Sequence, residues 1–271
     1  MFIWIILILI GLALAINVEE SFDGRTHSRV AIATMVTTQP DFQHWITYHL
    51  GLVDRIYLKI ENAQEIVELA SRYPEKIYYE VTDDGNQTKL NNYFTQMDRQ
   101  KEFVDRMIKK AKSEGIDYMF HIDADELISS SSDLRSHLTS VPQDTACIHF
   151  KNFEAVFKNN THCFQAVKFM DCQREACTSY ANGKSCAVIK NDPTFNGPHY
   201  FSGKVYEMDD NKIKILHFDS CTYDAWKQKF SRMTKTKPGD IPLTFYKNSI
   251  ELMSKNPTDD EMLKFYKDAK W

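Results

Sequence analysis

The chain has no basic cluster. Its 33 Lys and Arg are spread along the sequence and outnumbered by 37 Asp and Glu, leaving a net charge of −4. That excludes nucleic acid as the main partner, because phosphate-backbone binding needs a concentrated positive patch. No internal repeat or low-complexity linker interrupts the 271 residues, so one domain with a substantial core is the economical reading. The six cysteines lack paired C-x-x-C spacing, which argues against a zinc cluster. No Lys or Arg precedes the one long apolar run, Met1 to Ile16.

That run reads as a signal peptide or signal-anchor over residues 1–18, slightly short for a full bilayer span. Ala13-Leu14-Ala15 would serve as a cleavage site. Anchored, the chain is a single-pass type II membrane protein; cleaved, it is secreted. Either way the rest faces the secretory lumen, Golgi or ER. Asn86-Gln87-Thr88 and Asn159-Asn160-Thr161 are glycosylation acceptors that agree with that compartment. Four cysteines fall between Cys163 and Cys186, and in an oxidising lumen they read as one or two disulfides stapling a loop.

After a short polar stem, residues 19–28, the pattern alternates strands and helices through a single domain, 29–271. Val30 to Val36, Arg55 to Ile60, Lys76 to Val81 and Tyr118 to Ile122 read as strands. Between them, Phe42, Trp45, Ile46, His49 and Leu50 share a helical face, Ala63 to Tyr73 is helical, and a long helix carries Val104, Met107, Ile108 and Ala111 up to Gly115. Such alternation predicts right-handed crossovers and a mostly parallel sheet, an α/β fold. The ligand crevice then lies beyond the carboxyl ends of the strands. Thr37-Thr38, Glu61-Asn62, Asp83-Asp84 and Asp123-Ala124-Asp125 all follow strands and should collect at that edge. Cys147 to Phe157, Ser185 to Lys190 and Lys212 to Phe218 read as later strands. The C-terminus reads as helical, over Tyr223 to Met233 and from Thr244 on, with a break near Asn256-Pro257.

The acidic stretch Asp123-Ala124-Asp125-Glu126 interrupts an apolar segment. Clustered carboxylates are not tolerated inside a strand, so they sit where it emerges and something positive meets them. Asp-x-Asp at a strand end suits a divalent cation such as Mn²⁺ or Mg²⁺ held against a diphosphate. The plain alternative is an acidic solvated turn. An aspartyl phosphotransferase fits poorly, since three strands precede the motif and Glu126-Leu127 follows it.

These segments resemble the GT-A glycosyltransferases, in particular the family-2-like and family-92-like (DUF23-type) group. The matching residues are Trp45-Ile46-Thr47-Tyr48-His49, Lys59-Ile60-Glu61-Asn62, Arg99-Gln100, Asp123 to Ile128, Gly183-Lys184-Ser185, Pro198 to Phe201 and His217-Phe218. The opening strand departs from that group, having Thr37-Thr38-Gln39 where many relatives carry Lys-Asn-Glu. The resemblance implies a Rossmann-like nucleotide-diphospho-sugar transferase fold and metal-dependent transfer from a UDP-sugar to a glycan or glycoprotein acceptor. In that reading Asp125 ligates the metal, Asp123 meets the metal and the donor ribose, and His217 is the third contact. Thr37, Glu61 and Asn62 lie against the base, Asp83 near the ribose, Lys184 at the diphosphate, Arg99 at Asp123 or the phosphates, and His199 in the same pocket or at the acceptor. An inverting course needs a general base, for which Glu154 and Asp219 are the candidates and Glu126 a third. A lumenal binding module that kept the fold but lost turnover is the alternative.

Overall fold

A computed structural model describes residues 27–37, 39–82, 93–156, 162–166, 168–175, 177–233 and 243–270. The expected leader, most of the stem, Thr38, Asp83 and both glycosylation acceptors lie outside those residues. Among the described residues no helix is long and apolar enough to cross a membrane.

The first strand, β1 (Val30–Val36), shows why the sheet forms. Its residues alternate between two buried clusters: Val30 and Ile32 join one, Ala31 and Ala33 the other. Burial on both faces is the signature of a parallel central strand. Burying a side chain such as Ile32 contributes roughly 1.5–3 kcal/mol. β1 pairs in parallel with β2 (Arg55–Glu61) on one side and β4 (Tyr118–His121) on the other. β2 pairs in parallel with β3 (Ile77–Thr82). Among the described residues the helices between them are α1 (Phe42–Leu50), α2 (Gln64–Ala70) and α3 (Tyr93–Ser113). As the spacing predicted, α1 buries Phe42, Trp45, Ile46 and His49. α3 packs Val104, Met107, Ile108 and Ala111 on the opposite sheet face. Gly115, just beyond α3, adopts φ 68°, the left-handed conformation that ends helices.

The second half departs from the simple alternation. β5 (Glu126–Ser130) starts within the acidic stretch, and α4 (Leu134–Thr139) follows. The segment from Cys147 is not one strand. It divides at Lys151 into β6 (Cys147–Phe150) and β7 (Asn152–Val156), which join different sheets. With β8 (Lys168–Asp171), β9 (Lys184–Val188), β10 (Val205–Glu207) and β11 (Ile213–His217), the described residues form two sheets. The larger runs β10-β6-β9-β4-β1-β2-β3, the smaller β5-β11-β7-β8. Only β9 runs antiparallel to its neighbours in the larger sheet. The expected α/β class, a large central sheet flanked by helices, is what the chain adopts.

Among the described residues three C-terminal helices follow: α5 (Tyr223–Arg232), α6 (Thr244–Met253) and α7 (Asp259–Lys270). They bury their own aromatic cluster around Trp226 and Phe230. The break expected near Asn256-Pro257 falls between α6 and α7.

Two disulfides form, and one differs from the expected loop staple. Cys172–Cys177 closes a local loop, but Cys163 reaches 58 residues along the chain to Cys221, beyond β11. Cys147 and Cys186 are free and buried.

Candidate functional site

The acidic stretch is held from three sides. From α1, Trp45 Nε1 donates to the carbonyl of Glu126 at 2.7 Å, and Tyr48 Oη to that of Ile128 at 2.7 Å. His49 accepts the Ile128 N–H at Nε2 while its Nδ1–H goes back to Trp45. Burial pushes His49 down to about 3, so it stays neutral and can play both parts. The Trp, Tyr and His of that helix therefore fix the strand leaving the acidic turn. β11 holds the other side: it runs antiparallel to β5 with His217 opposite Glu126, and Phe218 N–H donates to the Asp125 carbonyl at 2.8 Å. Register alone thus brings His217 beside Asp125.

The third side is Lys184, at the start of β9. Its side chain is 0 % exposed, with Nζ 2.5 Å from Asp123 and 3.6 Å from Glu126. Gly183 places it there: φ is +65°, and a Cβ would run into the Phe150 carbonyl. Burial works to raise the Asp123 carboxyl, but the Lys184 ammonium prevails and holds it well below the usual carboxylate range. Glu126, wholly buried, is pushed up to about 7 by burial, against the pull of Lys184. Glu126 also takes the Asp123 N–H at 2.7 Å and the Tyr180 hydroxyl. It braces the turn and does not line the cavity.

Asp125, His217 and Asp219 form a separate group, whose ligand atoms all lie within 4.8 Å of one another. His217 Nε2 is 3.7 Å from Asp125 Oδ1. On its far side, Nδ1–H donates to Ser179 Oγ at 3.0 Å, and that hydroxyl donates to Glu154 at 2.5 Å. The relay points Nε2 at the two aspartates. Burial opposes the imidazolium, yet the carboxylates around it, Asp125 foremost, raise His217 to about 9. Two carboxylates and one imidazole suit a hard to borderline divalent cation, and the second partner on His217 is the support such a ligand needs. The expected set was Asp123, Asp125 and His217. Here Asp123 is bonded to Lys184, while Asp125 and His217 lie together with Asp219, itself bonded to Lys229, as a group that could hold a cation. Ser220, at φ 51°, turns the chain immediately afterwards.

A cavity of about 540 Å³ opens beside this group, lined by Thr37, Glu61, Asn62, Arg99, Asp123, Asp125, Lys184, His199 and His217. The ends of β1, β2 and β4 thus converge on one crevice, as the strand alternation predicts. Asp83 lies outside the described residues. Arg99 forks onto Glu61, with Nε to Oε1 at 2.8 Å and Nη2 to Oε2 at 3.2 Å. That fork fixes the Glu61 carboxylate against the cavity wall. Burial pushes His199 down to about 4, and its Nδ1–H donates to the Gly183 carbonyl at 2.7 Å.

Neither base candidate lines the cavity. Glu154 takes donors from Thr178 and Ser179, both backbone and hydroxyl, and stands behind His217. Asp219 is 0 % exposed and bonded to Lys229 at 2.5 Å. The sequence reading missed the wall from α5: Ala225, Gln228, Lys229 and Arg232 all line the cavity. Their spacing was the available signal, one face of a helix whose other face buries Trp226 and Phe230.

No protein-family profile matches the chain. Two Arabidopsis thaliana proteins named glycosyltransferase-like are 27 % and 25 % identical over 68 % of the chain. The chain spans about half the length of these relatives, 49 % and 43 %. Among solved structures, S. aureus TarS 1–349 in complex with UDP-GlcNAc overlaps 84 % of this chain and 71 % of its own, at TM-score 0.43 and 9 % identity. GalNAc-T7 with UDP, GalNAc and Mn²⁺ overlaps 90 % of this chain and 55 % of its own, at TM-score 0.43 and 9 % identity.

Proposed function

We propose that this chain is a metal-dependent glycosyltransferase that moves a sugar from a UDP-sugar to a glycan or glycoprotein acceptor in the secretory lumen. The observation that carries the reading is the meeting of Asp125 and His217, which line a cavity beyond the ends of parallel strands, with the buried Asp219 behind them. The glycosyltransferase-like names of the plant relatives support it. So do the GT-A-like motifs around residues 45–49 and 123–128.

Asp125, His217 and Asp219 would hold Mn²⁺ or Mg²⁺, and such a cation, when bound, neutralises the diphosphate as the glycosidic bond breaks. The chain's own residues do the rest. Glu61, fixed by Arg99, and Asn62, at φ 52°, offer acceptors and donors to the base and ribose from the end of β2. Thr37 faces them from β1. Lys184 keeps Asp123 ionised at the cavity edge, where its carboxylate can take a ribose or sugar hydroxyl. Lys229 and Arg232 give the opposite wall positive charge toward the phosphates.

An inverting course requires a general base on the acceptor side, and product anomeric configuration measured by NMR tests it. The activity itself is tested by release of free nucleoside diphosphate from a panel of UDP- and GDP-sugars with Mn²⁺. Release from a UDP-sugar, abolished by EDTA, is expected. Silence across the panel, with no thermal shift from any nucleotide, would favour a lumenal binding module.

A further inference from the structure

A second group of metal-ligating side chains lies apart from Asp125, His217 and Asp219, and the transfer reaction uses none of it. Asp41 immediately precedes α1, and His44 is in its first turn, tied by the bond from His44 N–H to the Asp41 carbonyl at 2.8 Å. His162 arrives from the other half of the chain, just before the 3₁₀ turn Cys163–Gln165. We propose that Asp41, His44 and His162 bind a second cation, of the imidazole-preferring Zn²⁺ class, which clips the two halves together at the cavity rim.

The geometry carries this. His162 Nε2 is 2.9 Å from His44 Nδ1 and 3.3 Å from Asp41 Oδ1, and the donor atoms all fall within 4.8 Å. A tetrahedral cation about 2.1 Å from each ligand atom sets those atoms about 3.4 Å apart. The trio already stands close to that spacing. The two imidazoles meet edge to face, with ring centroids 4.0 Å apart, and the nitrogens facing each other at 2.9 Å share one proton that a cation would replace. His162 Nδ1 receives the Phe164 N–H at 3.2 Å. Ligation through Nε2 moves the ring proton to Nδ1 and gives up that one bond.

The surroundings also resemble a supported site. The second oxygen of Asp41 accepts the Cys163 N–H at 3.0 Å, which orients the carboxylate as outer-sphere bonds do at metal centres. Asp41 is held at φ 59°, a left-handed conformation that is strained for a residue with a side chain. His162 and Asp41 are 18 % and 30 % exposed, while His44 is exposed; the fourth position therefore opens to water. Two imidazoles and one carboxylate favour Zn²⁺ over Mg²⁺, so this site differs in selectivity from the aspartate-rich one.

The position suggests what the clip does. Pro40, next to Asp41, lines the cavity, and so does Cys221, which is bonded to Cys163. A cation here would tie the start of α1 to the disulfide that borders the donor cavity. The site stands without any assumption about the transferase reaction.

The test uses the full-length chain, stripped with chelator and titrated with Co²⁺ and then Zn²⁺, with absorbance and calorimetry as readouts. Wild type and Asp125→Asn should both develop a tetrahedral Co²⁺ band that Zn²⁺ displaces. His44→Ala, a change at an exposed residue, should lose the band. It should also weaken Zn²⁺ binding by more than about 100-fold, since outer-sphere changes alone cost 10–100-fold. His162→Gln should behave likewise. No band in wild type would overturn the proposal, as would a band and Zn²⁺ affinity unchanged in His44→Ala. Loss of the band in Asp125→Asn with retention in His44→Ala would assign the cation to the first site and equally overturn it. Donor hydrolysis, measured separately, can fail without affecting any of these outcomes.

Discussion

Replacing Lys184 with methionine removes the cation on which the acidic turn depends. The side chain is 0 % exposed and its ammonium stands 2.5 Å from Asp123 and 3.6 Å from Glu126. Methionine fills much of the volume but leaves two carboxyls without a counter-charge. Breaking a buried ion pair from one side costs about 3–5 kcal/mol. Asp123 is 32 % exposed toward the cavity; water screens it in part, and the loss should fall near the lower end, about 3 kcal/mol.

The pH dependence separates this from a simple packing defect. In wild type Glu126 has its carboxyl raised to about 7; without Lys184 it rises further. Above pH 7 the wild-type carboxyl ionises while the folded variant keeps its proton, so the variant's native state binds more protons. Stability then falls faster with pH in the variant, and the gap widens by about 1.4 kcal/mol per pH unit. Urea denaturation followed by tryptophan fluorescence, in EDTA at pH 6 and pH 8, measures both numbers. A gap below about 1 kcal/mol that does not change with pH would refute the reasoning, since it would match a screened surface pair.

Three further outcomes follow from the same geometry. The cation must displace a proton from His217, which sits at about 9 in the metal-free protein; Mn²⁺ affinity should therefore rise roughly tenfold per pH unit between pH 6 and 8, and a flat profile by electron paramagnetic resonance would contradict this. Ser179→Ala cuts the relay from Glu154 to His217 and should weaken Mn²⁺ binding about 10–100-fold; calorimetry showing wild-type affinity would remove the relay from the account. Gly183→Ala drives a Cβ into the Phe150 carbonyl at a positive φ and should cost more than about 2 kcal/mol, read as a lower urea midpoint; an unchanged midpoint would show that the loop can shift.

The parts legible in the sequence were those where one local rule dominated. Val30 to Val36 reads as a strand because it is apolar but for Thr34, and the carboxylates of 123–126 stand out because they break an apolar segment. Strand alternation then sufficed to bring Thr37, Glu61 and Asp123 to one edge. What stayed hidden depended on partners distant in the chain. The run from Cys147 mixes apolar and polar residues on both sides of Lys151, so its pattern alone does not mark Lys151 as the point where it leaves one sheet for another. Arg99 answers Glu61 across 38 residues, and Cys163 answers Cys221 across 58. Asp219 was visible as an acid near His217, but its nearness to Asp125 comes from the antiparallel pairing of β11 with β5. Glu154 looked like a free base because sequence does not show the four donors that Thr178 and Ser179 aim at it.

The central claim is that Asp125, His217 and Asp219 hold a cation that the cavity uses to grip a nucleoside diphosphate. Calorimetric titration of the full-length chain with UDP, in Mn²⁺ and again in EDTA, for wild type and Asp125→Asn, tests it most directly. Saturable UDP binding in Mn²⁺ that disappears in EDTA and in the variant is expected. Equal UDP binding under all these conditions, or none under any, would contradict it.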